Sequence, residues 1–287
     1  MSRPIVLITG CSSGIGKALA ITFQQQGYQV WATARNPERL AELAGQGMVT
    51  AALDVTDEGE IAAVIQRIKT EAGRLDYLVN NAGYGQMGAC LDLDAATIEA
   101  QFKTNVFAPL ALCQAVAPLM REQGGGTIVN IGSISGVLTS PFAGAYCASK
   151  AALHAFSDAL RLELAPFGIR VITVQPGGIA SNFGVVASQL VPDLATARPT
   201  AQLSWYQALA EAIQQRAMAS QVGATPTSVF AGAVVAAVTQ VNPPAVVRLG
   251  QGYWRFFALQ RLVPTRILDR LLSRKFGLDR LGDRRES

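Results

Sequence analysis

A doubly wound α/β fold, three layers deep around a parallel sheet of about seven strands, is what this sequence predicts. Three observations carry that prediction. Short β-branched runs alternate with longer helical patterns from the first residues, the first run ends in a glycine-rich turn, and half of the 287 residues are hydrophobic. Strands that alternate with helices pair in parallel and need a helical layer on each face. With only 15% of residues charged, a large aliphatic core is expected, and a disordered chain is excluded.

Residues 5–8 form the first predicted strand, because four aliphatic residues run unbroken between Pro4 and Thr9-Gly10. A helix over 16–26 follows, then a strand at 29–32 and a helix over 37–44 that opens on Pro37. The third strand is 49–53. The next helix, 57–72, begins with Asp57 and Glu60 at the spacing of a capping box. A fourth strand at 75–79, a helix around 95–105 and a fifth strand at 127–131 continue the alternation. The long helix 146–165 leads to a sixth strand at 169–175, and 245–249 closes the sheet. From 178 to 227 charges are few, the aromatic pair Trp205-Tyr206 stands out and no strand pattern appears. A helical lid that sets substrate selectivity is expected there.

The first 247 residues carry 14 basic and 16 acidic groups, whereas the last forty carry 10 and 4. A nucleic-acid binder would spread its basic groups over a face, so none is expected as a partner; a basic end fits an anionic surface, an acidic partner or solubility. Cys11, Cys90, Cys113 and Cys147 are scattered without a CxxC pair, and His154 is the only histidine. No metal site or disulfide framework follows from that spacing. The N-terminal apolar run is too brief for a secretory segment and no run reaches the length of a membrane-spanning helix, so a reducing cytoplasm is expected.

The turn after the first strand reads Thr9-Gly10-Cys11-Ser12-Ser13-Gly14-Ile15-Gly16. Gly10 permits the bend, Gly14 lets backbone approach a pyrophosphate, and Gly16 lets the helix pack on the strand, while the helix N-terminus offers amides and a positive dipole. Further on come Asn80-Asn81-Ala82-Gly83, Asn105, Ser133, Tyr146 with Lys150, and Pro176-Gly177. With its TGxxxGxG turn and these motifs in order over residues 4–180, the chain resembles the short-chain dehydrogenase/reductase family, specifically its short single-domain type. The resemblance implies a Rossmann-type catalytic domain over residues 1–250 and an NADP(H)- or NAD-dependent hydride transfer.

Tyr146 and Lys150 lie four apart and so share a helix face, where an ammonium beside a phenol favours phenolate. The phenol is then expected to serve near neutrality, giving a proton to a carbonyl oxygen in reduction or taking one from a hydroxyl in oxidation. By resemblance Ser133 bonds the substrate oxygen, Lys150 also holds the nicotinamide ribose, and Asn105 orders a water beside the lysine. At the end of the second strand, Ala34 stands where relatives that use NAD carry an acid, and Arg35 follows. A guanidinium pairs with a 2′-phosphate, which favours NADP(H), although Arg35 also fits a plain surface charge. The resemblance assigns Asp54 and Val55 to the adenine, Gly83 to the region of the adenosine ribose, and Asn81 to Gly83 to the pocket floor. It assigns Ile179 and Ser181 to the nicotinamide carboxamide, Ser181 standing where the family commonly has threonine. His154 is expected to be a packed residue without a role.

Past residue 250 an aromatic stretch precedes Pro264, and Arg266, Arg270 and Arg274 step along a second stretch beside Ile267, Leu268, Leu271 and Leu272. Residues 251–287 are therefore expected to form a basic amphipathic helical extension, which caps the cleft or a subunit edge, or lies on a membrane interface. The expected substrate is a lipophilic ketone, secondary alcohol or aldehyde of steroid, retinoid or aliphatic type. A 3-oxoacyl thioester on an acidic carrier is the enzymatic alternative, and a nucleotide-sensing or membrane-associated module the non-enzymatic one. The resemblance also implies a homodimer or homotetramer.

Overall fold

The computed structural model describes residues 3–192 and 204–281. Six strands come first: β1 (Ile5–Ile8), β2 (Gln29–Ala34), β3 (Val49–Ala52), β4 (Tyr77–Asn80), β5 (Gly126–Ile131) and β6 (Ile169–Pro176). A two-residue strand β7 (Ile179–Ala180) then pairs in parallel with β8 (Thr225–Pro226), and β9 (Val246–Leu249) returns to the main sheet. That sheet has seven parallel strands in the order β3-β2-β1-β4-β5-β6-β9.

The helices are α1 (Gly14–Gln25), α2 (Ala41–Gly45), α3 (Glu58–Ala72), α4 (Ala95–Phe102), α5 (Ala108–Glu122), α6 (Gly144–Leu164), α7 (Phe183–Gln189), α8 (Ala210–Met218) and α9 (Thr227–Val238). Two more, α10 (Tyr253–Leu262) and α11 (Thr265–Lys275), follow the last strand.

Side chains of β1 alternate between the two faces as the strand period requires. Val6 and Ile8 pack with Leu19 and Phe23 of α1 and with Phe230, Val234 and Val235 of α9. Ile5 and Leu7 pack on the opposite side with Ile61, Val64 and Ile68 of α3 and Leu112 and Val116 of α5. A fully buried Leu, Ile or Phe contributes about 1.5–3 kcal/mol, so the doubled apolar face of each strand is what fixes three layers. From β1 the chain winds outward one way through β2 and β3, and the other way from β4. The crevice at that reversal lies beyond the carboxyl ends of β1 and β4 and is where open α/β sheets take ligands.

Three sequence expectations need correction. Helix α5 is absent from the sequence reading because Pro109 and Pro118 interrupt its pattern; the structure keeps it helical with Pro118 inside. Asn105 lies not in α4 but in a widened π-helical turn, Lys103–Phe107, that joins α4 to α5. Pro109 lacks the N–H that an α-helix would give to the carbonyl of Asn105, and a widened turn is one way to absorb that loss. The lid region contains the β7–β8 pair although no strand pattern marks it, since two residues are too few to show a period. Its remaining described part is helical, and the segment 193–203 lies outside the described residues. Among the described residues no helix is long and apolar enough to cross a membrane.

Candidate active site

The ends of β1 and β4 are stapled together by side chains. Thr9 Oγ1 accepts the amides of Asn81 and Ala82, both at 3.0 Å, and Asn81 Nδ2 donates to the carbonyls of Thr9 at 2.9 Å and Gly10 at 3.2 Å. Gly10 and Gly14 have φ of 72° and 57°, conformations that favour glycine. A Cβ on Gly16 would lie 2.3 Å from the Gly10 carbonyl oxygen and 2.4 Å from Asn81 Nδ2. The turn is thus closed by backbone meeting backbone. Ser13 is the N-cap of α1, yet its side chain makes no capping bond, which leaves the helix amides open toward an anion. Ser12, Ser13, Gly14 and Ile15 line one cavity with Arg35, Asp54, Val55 and Asn81 to Gly83. A phosphate-sized cradle of glycines, an uncapped helix start and a guanidinium fit a dinucleotide.

The Asp54 turn is built differently from the sequence expectation. Asp57 Oδ1 does cap the Glu60 amide at 2.9 Å, but Glu60 Oε2 reaches the amide of Asp54 at 2.6 Å instead of closing a capping box on Asp57. Asp54 Oδ1 accepts the Thr56 amide at 2.9 Å and the Thr56 hydroxyl at 2.8 Å. The Thr56 amide bond, helped by its hydroxyl and by the charges of Arg35 and Lys103, holds the Asp54 carboxyl below its ordinary range despite partial burial.

About 1300 Å³ of cavity runs from this turn past Ser133, Tyr146 and Lys150 to an apolar chamber. Tyr146 and Lys150 sit one turn apart on α6, both buried, and Ser133 follows β5, also buried. The Ser133 hydroxyl faces the Tyr146 phenol closely enough to lower its pKa. Lys150 Nζ donates to the carbonyl of Ile131 at 2.7 Å. In the structure burial governs both ionisable groups of this pair. Burial pushes Tyr146 up to about 12, opposed by the Ser133 hydroxyl and the Arg216 charge rather than by Lys150. Burial likewise pushes Lys150 down to about 8. Desolvation of each group outweighs whatever the shared helix face supplies.

Asn105 is fully buried and its side chain is consumed by structure: Oδ1 accepts the Tyr84 amide at 3.2 Å, and Nδ2 donates to the Tyr84 carbonyl at 2.9 Å and Ser149 Oγ at 3.1 Å. It ties the segment after β4 to α6. A Cβ on Gly83 would lie 2.9 Å from Asn105 Oδ1 and 3.7 Å from Lys150 Nζ. The structure therefore puts Gly83 close to Lys150 within the cavity lining.

Pro176, Gly177, Ile179 and Ser181 line the same cavity. The Gly177 amide donates to the Leu249 carbonyl at 2.8 Å, and a Cβ on Gly177 would lie 2.2 Å from the Gln251 carbonyl oxygen. The Ser181 amide is taken by Gln221 Oε1 at 3.0 Å, and Ser181 Oγ accepts the Phe183 amide at 3.4 Å. A Cβ on Gly14 would meet the Ser181 Cβ at 3.2 Å, so this loop closes onto the glycine-rich turn.

The family model for short chain dehydrogenases matches residues 4–189. This chain belongs to the short-chain dehydrogenase family. A short-chain dehydrogenase of Penicillium ochrochloron is 41% identical over 228 residues, which cover 78% of this chain and 82% of that protein. The NADPH-dependent 1-acyldihydroxyacetone phosphate reductase of Saccharomyces cerevisiae is 33% identical over 292 aligned positions, covering 98% of this chain and 94% of the relative. Among solved structures, a short-chain dehydrogenase from Streptomyces avermitilis superposes with a TM-score of 0.78 at 31% identity, with 99% of each chain covered.

In this short-chain dehydrogenase several site residues lie outside the family motifs. His154 Nε2 accepts the Ser133 amide at 3.3 Å, and its ring fills the space where Cβ atoms of Gly132 and Gly136 would stand. It is packed, as the sequence leads one to expect, and its ring nitrogen in addition holds the Ser133 backbone. Burial, with the Lys150 charge, pushes its imidazole down to about 4. Arg39 lines the cavity near Arg35 and adds a second cation there. Arg216, on α8, lines it on the side of Tyr146. The C-terminal helices complete the wall: Phe256, Leu272, Lys275 and Phe276 line the cavity, and Phe276 packs on Phe142, Leu209 and Ile213. One periodic signal pointed there, the apolar stripe of α11. Nothing in a single sequence marks Arg216 or His154.

Proposed function

We propose that this oxidoreductase uses NADP(H) to interconvert a lipophilic ketone or aldehyde and its alcohol. One observation carries the reading: Ser133, Tyr146 and Lys150 open into a single cavity that joins the glycine-rich cradle to an apolar chamber walled by Leu138, Phe183, Val186, Phe256 and Phe276. The nicotinamide, when bound, supplies or receives the hydride. NADP(H) is supported by Arg35 and Arg39 at the end of β2, where no carboxylate lies among the cavity-lining residues except Asp54, and by the NADPH dependence named for the yeast relative. Gly10, Ser12, Ser13, Gly14 and Ile15 would cradle its pyrophosphate, with Gly16 letting α1 pack close beside them.

At the reacting oxygen the Ser133 hydroxyl donates a hydrogen bond while the Tyr146 phenol gives its proton. A phenol whose pKa burial raises is protonated at neutral pH and can act as the acid of a reduction. Lys150, fixed by Ile131, presents a cation beside the transfer, and Asn105 and His154 hold the surrounding backbone in place. The direct test is NADPH oxidation, followed by absorbance, with steroid, retinoid and long-chain aliphatic carbonyls and 3-oxoacyl esters. Turnover of a free lipophilic carbonyl is the expected result. NADPH binding without turnover of any of them would overturn the reading.

A further inference from the structure

Helix α8 turns Ile213 and Ala217 inward, Ala217 against Tyr146 and Cys147. Arg216, next to Ala217, is thereby carried into the substrate chamber. Its Nε donates to Ser140 Oγ at 2.8 Å, which uses one of five guanidinium donors. Among the described residues no carboxylate lies within ion-pair distance of it. Burial lowers its pKa, and the groups it acts on electrostatically are the side chains of Cys147 and Tyr146.

The charges around the whole cavity sharpen the point. Its lining carries Arg35, Arg39, Lys150, Arg216 and Lys275, against Asp54 as its one carboxylate. Asp54 belongs to the turn after β3, by Arg35, so it neutralises nothing near Tyr146. A half-buried guanidinium with most of its donors unspent gains when an anion completes it. Carboxylates and phosphates match that fork in a bidentate fashion. The rest of the chamber is mixed: Phe183, Val186, Leu272 and Phe276 are apolar, while Asn182, Gln215 and Lys275 add uncharged amides and one further cation.

We infer that Arg216 is an anion-binding residue of the substrate chamber, and that the substrate is an amphiphile whose phosphate or carboxylate it grips while the carbonyl faces Tyr146 and the apolar remainder lies along α11. This deepens the oxidoreductase reading and rests on it for the word substrate, but the site itself is testable without turnover.

Binding of octyl phosphate, octanoate and octanol to the full chain saturated with NADP+ can be compared by calorimetry. At least one of the two anions should bind ~10- to 100-fold more tightly than octanol, the range of a charged hydrogen-bonded contact. Which of them leads decides between phosphate and carboxylate. Arg216→Gln should remove most of that advantage and leave octanol binding as it was, and Arg216→Lys should restore part of it; a thermal melt of each variant verifies folding. Anions that bind no better than octanol, or a glutamine variant that weakens all three ligands alike, would overturn the inference. If the anions bind through Arg216 but no carbonyl is ever reduced, it is the oxidoreductase reading that falls.

Discussion

Tyr146 and His154 show how burial sets the chemistry of single residues here. Replacing Tyr146 by Phe removes the proton donor but keeps a ring against Phe183, whose centroid lies 5.3 Å away. Turnover should fall by about 100- to 10,000-fold, while the NADPH Kd measured by fluorescence stays within a factor of about two to three, a shift of less than 1 kcal/mol. His154 is held neutral in the fold at about 4, against about 6.5 in an unfolded chain. Between those values the unfolded chain binds the proton and the folded one does not, so stability is lost as pH falls through that window, by up to roughly 3 kcal/mol. Denaturation midpoints of the protein and of His154→Gln, taken from pH 7 to 4.5, should converge at the acid end. A parallel pair of curves would mean that the imidazole does not titrate in this way. That Ser133, Tyr146 and Lys150 meet in one cavity was legible because each sits in a spaced motif; the pKa of Tyr146 was not, because it depends on how dry the site is.

Helices and turns make the next scale. Gly16 sits where α1 crosses the Gly10 carbonyl, with 2.3 Å available to a Cβ. Gly16→Ala must push α1 off β1, so it is expected to weaken NADPH binding by tenfold or more, at about 1.4 kcal/mol per tenfold, and to lower the Tm. Unchanged binding in that variant would show that the cradle tolerates a wider turn. The seven strands of the main sheet and α1, α3 and α6 were readable from period and caps, as with Asp57 before α3. The π-helical turn at Asn105 and helix α5 were not, since their prolines argue locally against a helix that packing on Leu7, Leu78 and Ile128 sustains. Phe142 is a related case. Its φ of 62° is the only non-glycine value of that sign among the described residues, and its ring meets Tyr206 and Phe276 at 5.9 and 6.2 Å. Tertiary packing outweighs the local cost of the left-handed conformation, about 1–2 kcal/mol.

For the molecule as a whole, the alternation of strand and helix announced the doubly wound sheet, and the crevice beyond β1 and β4 followed from its winding. The chamber did not, because its walls come from segments far apart in sequence: the segment after β4, the lid helices α7 and α8, and the C-terminal helices. Removing residues 251–281 would strip Phe256, Leu272 and Phe276 from the cavity and uncover Phe142, Leu209 and Ile213. The shortened protein should therefore lose kcat/KM for a long-chain ketone far more than for a small one such as cyclohexanone. Equal losses on both would place the tail outside the chamber.

That last wall is also fastened by what it encloses. A guest pressed against Leu272 and Phe276 favours the docked form of α11, and mass action requires that the docked form favour the guest. Exposed arginines at 266, 270 and 274 along α11 are ready cleavage points for trypsin, so protection from nicking there would rise with occupancy and would report ligands that never react.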